Sequence, residues 1–130
     1  MSWVLALAFV VGSGGGFGGR TIVTQSSIEV YDPVVFAPGS ELLPAGADRT
    51  LAALASAIDG NPSLVQLAVE AQTTPADAPF PLARHVLGVR RADAVRTRLI
   101  ALGVSPSRLV AETYDGTKAT IAFVVLQRGP

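Results

Sequence analysis

The chain has 130 residues, 49% hydrophobic and 15% charged, which is enough apolar mass for one packed domain and too little charge for a disordered one. Ten basic and ten acidic residues give a formal net charge of +0 and a pI near 6.6, so the electrostatic case for nucleic acid or an acidic membrane surface falls away. With no cysteine and one histidine, His85, the sequence excludes disulfides, thiolate or multi-histidine metal sites, a cysteine nucleophile and lipid attachment through cysteine.

The first feature along the chain is an unbroken apolar run, Trp3 to Val11. At roughly nine residues it matches a signal-peptide core or a short anchor and falls well short of the ~20 needed to span a bilayer. No Lys or Arg precedes it, and Val11-x-Ser13 offers a small-residue cleavage point. The glycines from Gly12 to Gly19 read as a flexible tether, so residues 1–20 form a leader or anchor with its linker and residues 21–130 the folded domain.

Thr21 to Val30, rich in β-branched residues, continues to Val34 and Phe36 as a first strand broken near Asp32-Pro33. Ala37-Pro38-Gly39-Ser40 is a turn, and Pro44-Ala45-Gly46 precedes a first helix whose Leu51, Leu54, Ala55 and Ile58 keep the i, i+3, i+4, i+7 rhythm. Gly60 and Pro62 end it. A second strand, Leu64 to Ala71, alternates Val65, Leu67, Val69 and Ala71 inward against Gln66 and Glu70 outward. The following stretch from Gln72 to Pro81 holds three prolines and reads as a loop. A second helix runs from Leu82 to Leu102 and stops at Gly103. Arg108–Thr113 and Thr120–Leu126 are the last strands, the final one central by its continuous apolar content, with Tyr114-Asp115-Gly116-Thr117 as a hairpin between them. The expected architecture is an α+β two-layer sandwich, β-α-β-α-β-β, with two helices on one face of a four-stranded mixed sheet.

No nucleophile elbow of the Gly-x-Ser-x-Gly kind, dinucleotide fingerprint or phosphate loop is present, and His85 reads as a surface imidazole, so no catalytic residue, cofactor or metal is expected. The residue that stands out is Arg91, which lies between Leu87 and Val95 on the apolar stripe of the second helix. Two accounts of it stay open. It pairs with an internal carboxylate such as Glu70 or Asp77, or it offers its planar fork to a ligand carboxylate. Arg84, Arg90, Arg96, Arg98 and Arg108 crowd the same segment, opposed within it only by Asp93.

Phe36-x-x-x-Ser40, the Leu51/Leu54/Ile58 helix, Asn61-Pro62, Val69-Glu70-Ala71-Gln72-Thr73-Thr74, Leu87-Gly88-Val89-Arg90-Arg91-Ala92 and Gly103-Val104-x-x-x-Arg108-Leu109 follow one another in an informative order and spacing. Over about Ile28 to Leu126 they resemble the OmpA-like C-terminal domain. The resemblance implies a periplasmic or outer-membrane-associated module of the bacterial cell envelope that holds peptidoglycan without covalent bonds. It also implies that an aspartate, from a strand ending Gly-His-Thr-Asp, grips the ammonium end of a diaminopimelate side chain. An arginine, from Leu-Ser-x-x-Arg-Ala, grips the carboxylate.

The arginine maps onto Arg91, but Thr74 stands where the family has aspartate, Gln72 where it has histidine, Ala71 where it has glycine and Gly88 where it has serine. The last loop is shortened and offers one cation, Lys118. The candidate ligand residues are therefore Arg91, Asp77 as a substitute acid, Thr73 and Thr74 as polar contacts, and Gln72 and Leu87 beside them. Loss of one charged partner of such a clamp costs about 2–5 kcal/mol, so the first expectation is a non-enzymatic module with weakened peptidoglycan association. The alternative is a structural or protein-interaction module of an envelope complex in which Arg91 is held by an internal acid. The partners implied are the diaminopimelate stem peptide or an envelope protein, with membrane contact only through an uncleaved N-terminal segment.

Overall fold

The computed structural model describes residues 9–11, 21–30 and 33–129. Of the leader and tether expected over residues 1–20 only Phe9–Val11 are described, and the rest, with the break at Asp32, lies outside these residues. In chain order the elements are β1 (Phe9–Val11), β2 (Thr21–Val23), β3 (Ser27–Val30), α1 (Ala47–Asp59), β4 (Leu64–Thr73), α2 (Pro81–Ala101), β5 (Leu109–Asp115) and β6 (Ile121–Arg128), with a 3₁₀ turn at Pro106–Arg108. The sheet runs β1-β2-β3-β6-β4-β5, and every pair is antiparallel except β4 with β5. It is the expected two-layer α+β fold with a mixed sheet, enlarged from four strands to six. The first predicted strand divides at Gln25-Ser26, where the Thr24 side chain accepts from the Ser26 and Ser27 N–H groups and turns the chain back.

The first helix buries the stripe its sequence prescribes, while in α2 Arg91, Val95 and Leu99 are buried and Leu87 is only half-buried. In α1, Leu51, Leu54, Ala55 and Ile58 are all buried, with Ala53 and Ala57 filling the space between them. Gly46, at φ 84, supplies the left-handed entry that any side chain would strain. Pro81 opens α2, where its missing N–H costs nothing, and Gly103 at φ 106 ends it. The core lies between this helical layer and one face of the sheet, with Leu67, Val69, Leu109, Ile121 and Phe123 facing Val95 and Leu99. Among the described residues no helix is long and apolar enough to cross a membrane.

Two expectations fail, each for a long-range reason. Val65 is 38% exposed whereas Leu64 is fully buried, because the pairing of β4 with β6 shifts register between Leu64 and Leu67. The bulge inverts the alternation for two residues. Nor do β5 and β6 form a hairpin at Asp115-Gly116; they flank β4 on opposite sides. The connection instead crosses the end of β4, held by the Gly116 N–H donating to Thr73 O (2.8 Å) and by the Thr117 and Lys118 N–H groups donating to the Gln72 side chain. A pair of turn residues reports a local bend, not which strand lies beyond it. The expected interior place of β6 holds, since it lies between β3 and β4.

The N-terminal half of α2 lies unusually close to β5. A Cβ added at Gly88 would sit 1.8 Å from Thr113 Oγ1, so the hydroxymethyl of a serine has no room at this position. Thr113 itself donates to Ala71 O across to β4. The close approach fixes the rotation of α2 and thereby aims Arg91, one turn on and about 60° round the helix, at the loops that precede α1 and follow β4.

Candidate functional site

Three segments meet around Arg91. The helix supplies the arginine, the loop after β4 supplies Thr74 and Asp77, and the turn before α1 supplies main-chain groups of residues 37–40. The guanidinium is fully buried and its Nη1 and Nη2 donate to the two oxygens of Asp77 at 3.0 and 2.7 Å. Nε donates to Ser40 O at 2.7 Å and Nη2 also to Ala37 O at 3.0 Å. The Phe36 ring lies under the cation, its centroid 4.9 Å from Cζ. The fork is thus engaged on both edges and on one face.

Asp77 is matched as fully. Besides Arg91 it accepts from the Gly39 N–H (3.1 Å), the Thr74 N–H (2.9 Å) and the Thr74 hydroxyl (3.3 Å). The Thr74–Asp77 segment is a turn closed by the Asp77 N–H donating to Thr74 O, which folds the carboxylate back over its own loop. Gly39 turns its N–H toward Asp77 from a left-handed backbone, φ 71. Burial pushes the Asp77 carboxyl up, but the hydrogen bonds from Arg91, Thr74 and Gly39 outweigh it and hold the group down at about 2. Asp77 is therefore a carboxylate at neutral pH, and only 0% and 1% of the Arg91 and Asp77 side chains are exposed.

The structure gathers three of the six expected site residues, Arg91, Asp77 and Thr74, into one cradle. The other three lie outside it. Thr73, the last residue of β4, is buried and its hydroxyl donates to Asp115 Oδ1 at 3.4 Å. Gln72 donates to the Tyr114 hydroxyl and anchors the Thr117-Lys118 backbone, so it organises the β5–β6 connection. Leu87 lines an open apolar groove with Phe80 and Val86. Sequence reasoning had not assigned Phe36, Ala37, Gly39 and Ser40 to the site. Phe36 and Ser40 carried a signal in the spaced pair Phe36-x-x-x-Ser40, but the acceptors are carbonyls, which no side-chain type announces.

Chemically the cradle is a carboxylate receptor that holds its own carboxylate. Its one hydroxyl, that of Thr74, meets a carboxylate already engaged by Arg91 and by the Thr74 and Gly39 N–H groups. His85 is exposed and lines a separate cleft of about 230 Å³ with Thr73, Pro81, Thr113, Tyr114 and Asp115. Among the described residues no group of three or more His, Asp and Glu side chains could hold a metal.

The fold and this cradle define a two-layer α+β module built around a buried arginine–aspartate pair. The chain belongs to the OmpA family, whose sequence model matches residues 35–122, a span that includes the whole cradle. No curated protein is a significant match. Among solved structures it is similar to the OmpA-like domain of FopA1 from Francisella tularensis subsp. tularensis SCHU S4 (TM-score 0.67, 15% identity, 95% of this chain and 92% of that one). It is similar also to a periplasmic domain of Helicobacter pylori MotB (0.64, 18%, 95% and 88%) and to the peptidoglycan-associated lipoprotein from Burkholderia pseudomallei (0.62, 20%, 71% and 87%). At these identities the likeness is one of fold.

Proposed function

We propose that this chain is a non-enzymatic module of the bacterial cell envelope that acts through protein contacts, with the family's ligand arginine closed on an internal acid. One observation carries the reading. Asp77 engages Arg91 with the two parallel hydrogen bonds that a stem-peptide carboxylate would need, and the pair is sealed from solvent. A ligand carboxylate must first displace Asp77 and leave its charge unpaired, which costs about 2–5 kcal/mol before any binding is gained. Thr74, at the family's aspartate position, is itself engaged by Asp77 and presents no charge to a ligand ammonium. The envelope setting is supported by the family and by two structural neighbours, one a periplasmic domain and one a peptidoglycan-associated lipoprotein.

The competing reading, weakened peptidoglycan association through Arg91, draws on the placement of Asp77 in a loop rather than on a strand, since a loop acid is easier to displace. Co-sedimentation of the full chain with insoluble peptidoglycan sacculi at moderate salt separates the two. The proposal expects the wild type and Arg91→Ala to remain equally in the supernatant. Retention of the wild type that Arg91→Ala abolishes overturns it.

A further inference from the structure

The surface of α2 facing away from the core is apolar where a solvated helix would be polar. Leu82, Val86 and Val89 follow one another at i, i+4 and i+7 and are 74%, 41% and 45% exposed, with Phe80 beside them at 70%. At 100° per residue the three helical positions fall within about 60° of one another, on a stripe centred about 120° round the helix from the one formed by the buried Ala92, Val95 and Leu99. The core therefore has no claim on them. Phe80, Leu82 and Val86, with Ala83, Leu87 and the stem of Arg90, border an open groove of about 580 Å³ whose walls are almost entirely hydrocarbon.

We propose that this face is the interface of a homodimer, with Phe80 and Leu82 of each copy entering the groove of the other. Area and charge favour a second copy over another occupant. The four side chains expose roughly 400 Å² of mostly apolar surface, at the level where a monomer's patch marks an interaction site. Doubled across a two-fold axis and supplemented by its rim, the patch would bury about 1,200 Å², the lower end of specific interfaces. The rim itself is self-complementary. Arg90 and Glu41 face each other loosely, Nε to Oε2 at 3.7 Å, with 64% and 47% of their side chains exposed. A two-fold partner offers each of them its opposite, because residue i meets j while j meets i. An anionic lipid surface would gain from Arg90 and be repelled by Glu41, and a partner of either single sign meets the same conflict. The inference extends the protein-contact reading but uses a different surface from the Arg91 cradle, so self-association and sacculus binding can fail independently.

Sedimentation equilibrium of the full chain between about 1 and 200 µM tests it, with a monomer–dimer constant expected in the micromolar range for an interface of this size. Leu82→Glu with Val86→Glu should leave a monomer at every concentration with an unchanged far-ultraviolet circular dichroism spectrum, since both positions lie outside the core. Arg90→Glu should weaken the dimer about tenfold, and Arg90→Glu combined with Glu41→Arg should restore it. A wild type that stays monomeric at 200 µM overturns the proposal. So does a self-association that the α2 substitutions leave intact, or a monomer that co-sediments with phosphatidylglycerol vesicles through this face.

Discussion

Replacing Asp77 by asparagine removes one charge and keeps the shape of the side chain, and the consequences can be worked from the cradle. The carboxylate accepts five hydrogen bonds, two from Arg91, two from Thr74 and one from Gly39. An amide at this position turns one acceptor into a donor, so its NH₂ must face either the Gly39 or the Thr74 N–H and one guanidinium nitrogen, while Arg91 stays buried with no counter-charge. Breaking a buried pair in this way costs about 3–5 kcal/mol. A second route gives a lower bound. Holding the Asp77 carboxyl at about 2 instead of 3.8 corresponds to about 2 kcal/mol in favour of the charged form. The expected loss at pH 7 is therefore about 2–5 kcal/mol, a large part of the 5–15 kcal/mol that stabilises an ordinary domain.

The sign of the pH dependence follows from the depressed value. The stabilisation from Asp77 is complete above its unfolded value near 3.8 and is lost as pH falls through about 2. Urea denaturation followed by circular dichroism at several pH values is the assay. The wild-type curve should fall between pH 4 and 2, Asp77→Asn should lack that component, and the two should converge in strong acid. A deficit below 1 kcal/mol at pH 7, or an unchanged acid limb in the variant, would refute the reasoning.

Three further outcomes are expected. Gly88→Ala should destabilise by about 1–3 kcal/mol despite its better helix propensity, because the new Cβ meets Thr113 Oγ1 at 1.8 Å and Thr113 Cβ at 2.8 Å; Thr113→Ala should recover part of the loss in a double-mutant cycle read by thermal unfolding. Arg108→Ala should cost about 2 kcal/mol in urea unfolding, since its guanidinium joins the carbonyls of Ile58, Asn61 and Leu64, tying the end of α1 to the start of β4. Glu70 and Glu112 lie side by side in the parallel register, and burial followed by Glu112 repulsion pushes the Glu70 carboxyl up. A raised acid gives most stability below its unfolded value of 4.5 and loses it as pH rises through the folded one, so Glu112→Gln should raise stability at pH 7 by up to about 1 kcal/mol and shrink the difference between pH 4 and 7.

Where the sequence informed the fold, it did so through period and punctuation. Leu51, Leu54 and Ile58 could only mark one face of a helix, and Gly103 a stop, because those signals depend on neighbours within a turn or two. Arg91 was conspicuous for the same reason, a cation on a stripe that otherwise buries hydrocarbon. What remained hidden depends on distant segments. Val65 obeys the alternation and is still exposed, since the bulge that displaces it is set by pairing with β6. Between Glu70 and Asp77 as partners for Arg91 the sequence left the choice open. The structure puts Glu70 in register with Glu112 and folds Asp77 back through the turn at Thr74. The carbonyls of Ala37 and Ser40 that complete the cradle belong to a turn whose sequence reports only a bend.

The family pattern and this chain give the arginine the same number of acids, one, and differ in where it stands. At position 74 an acid directly follows the strand and faces outward with the arginine toward a shared zwitterion, as the resemblance implies. At position 77 it is carried round a turn and consumes the arginine. Moving it back should therefore reopen the clamp without changing the charge count. The double variant Thr74→Asp with Asp77→Ala frees the Arg91 fork and restores an acid beside it, and sacculus co-sedimentation should rise at least tenfold over the wild type. That gain corresponds to about 1.4 kcal/mol, less than the 2–5 kcal/mol a charged partner is worth in a partly buried pair. Asp77→Ala alone should gain less, because it supplies no acid for the ammonium end. If the double variant folds, judged by its circular dichroism spectrum, and still stays in the supernatant, then the position of the acid is not what separates this chain from a peptidoglycan clamp, and the proline-rich loop from Pro75 to Pro81 must exclude the ligand by shape.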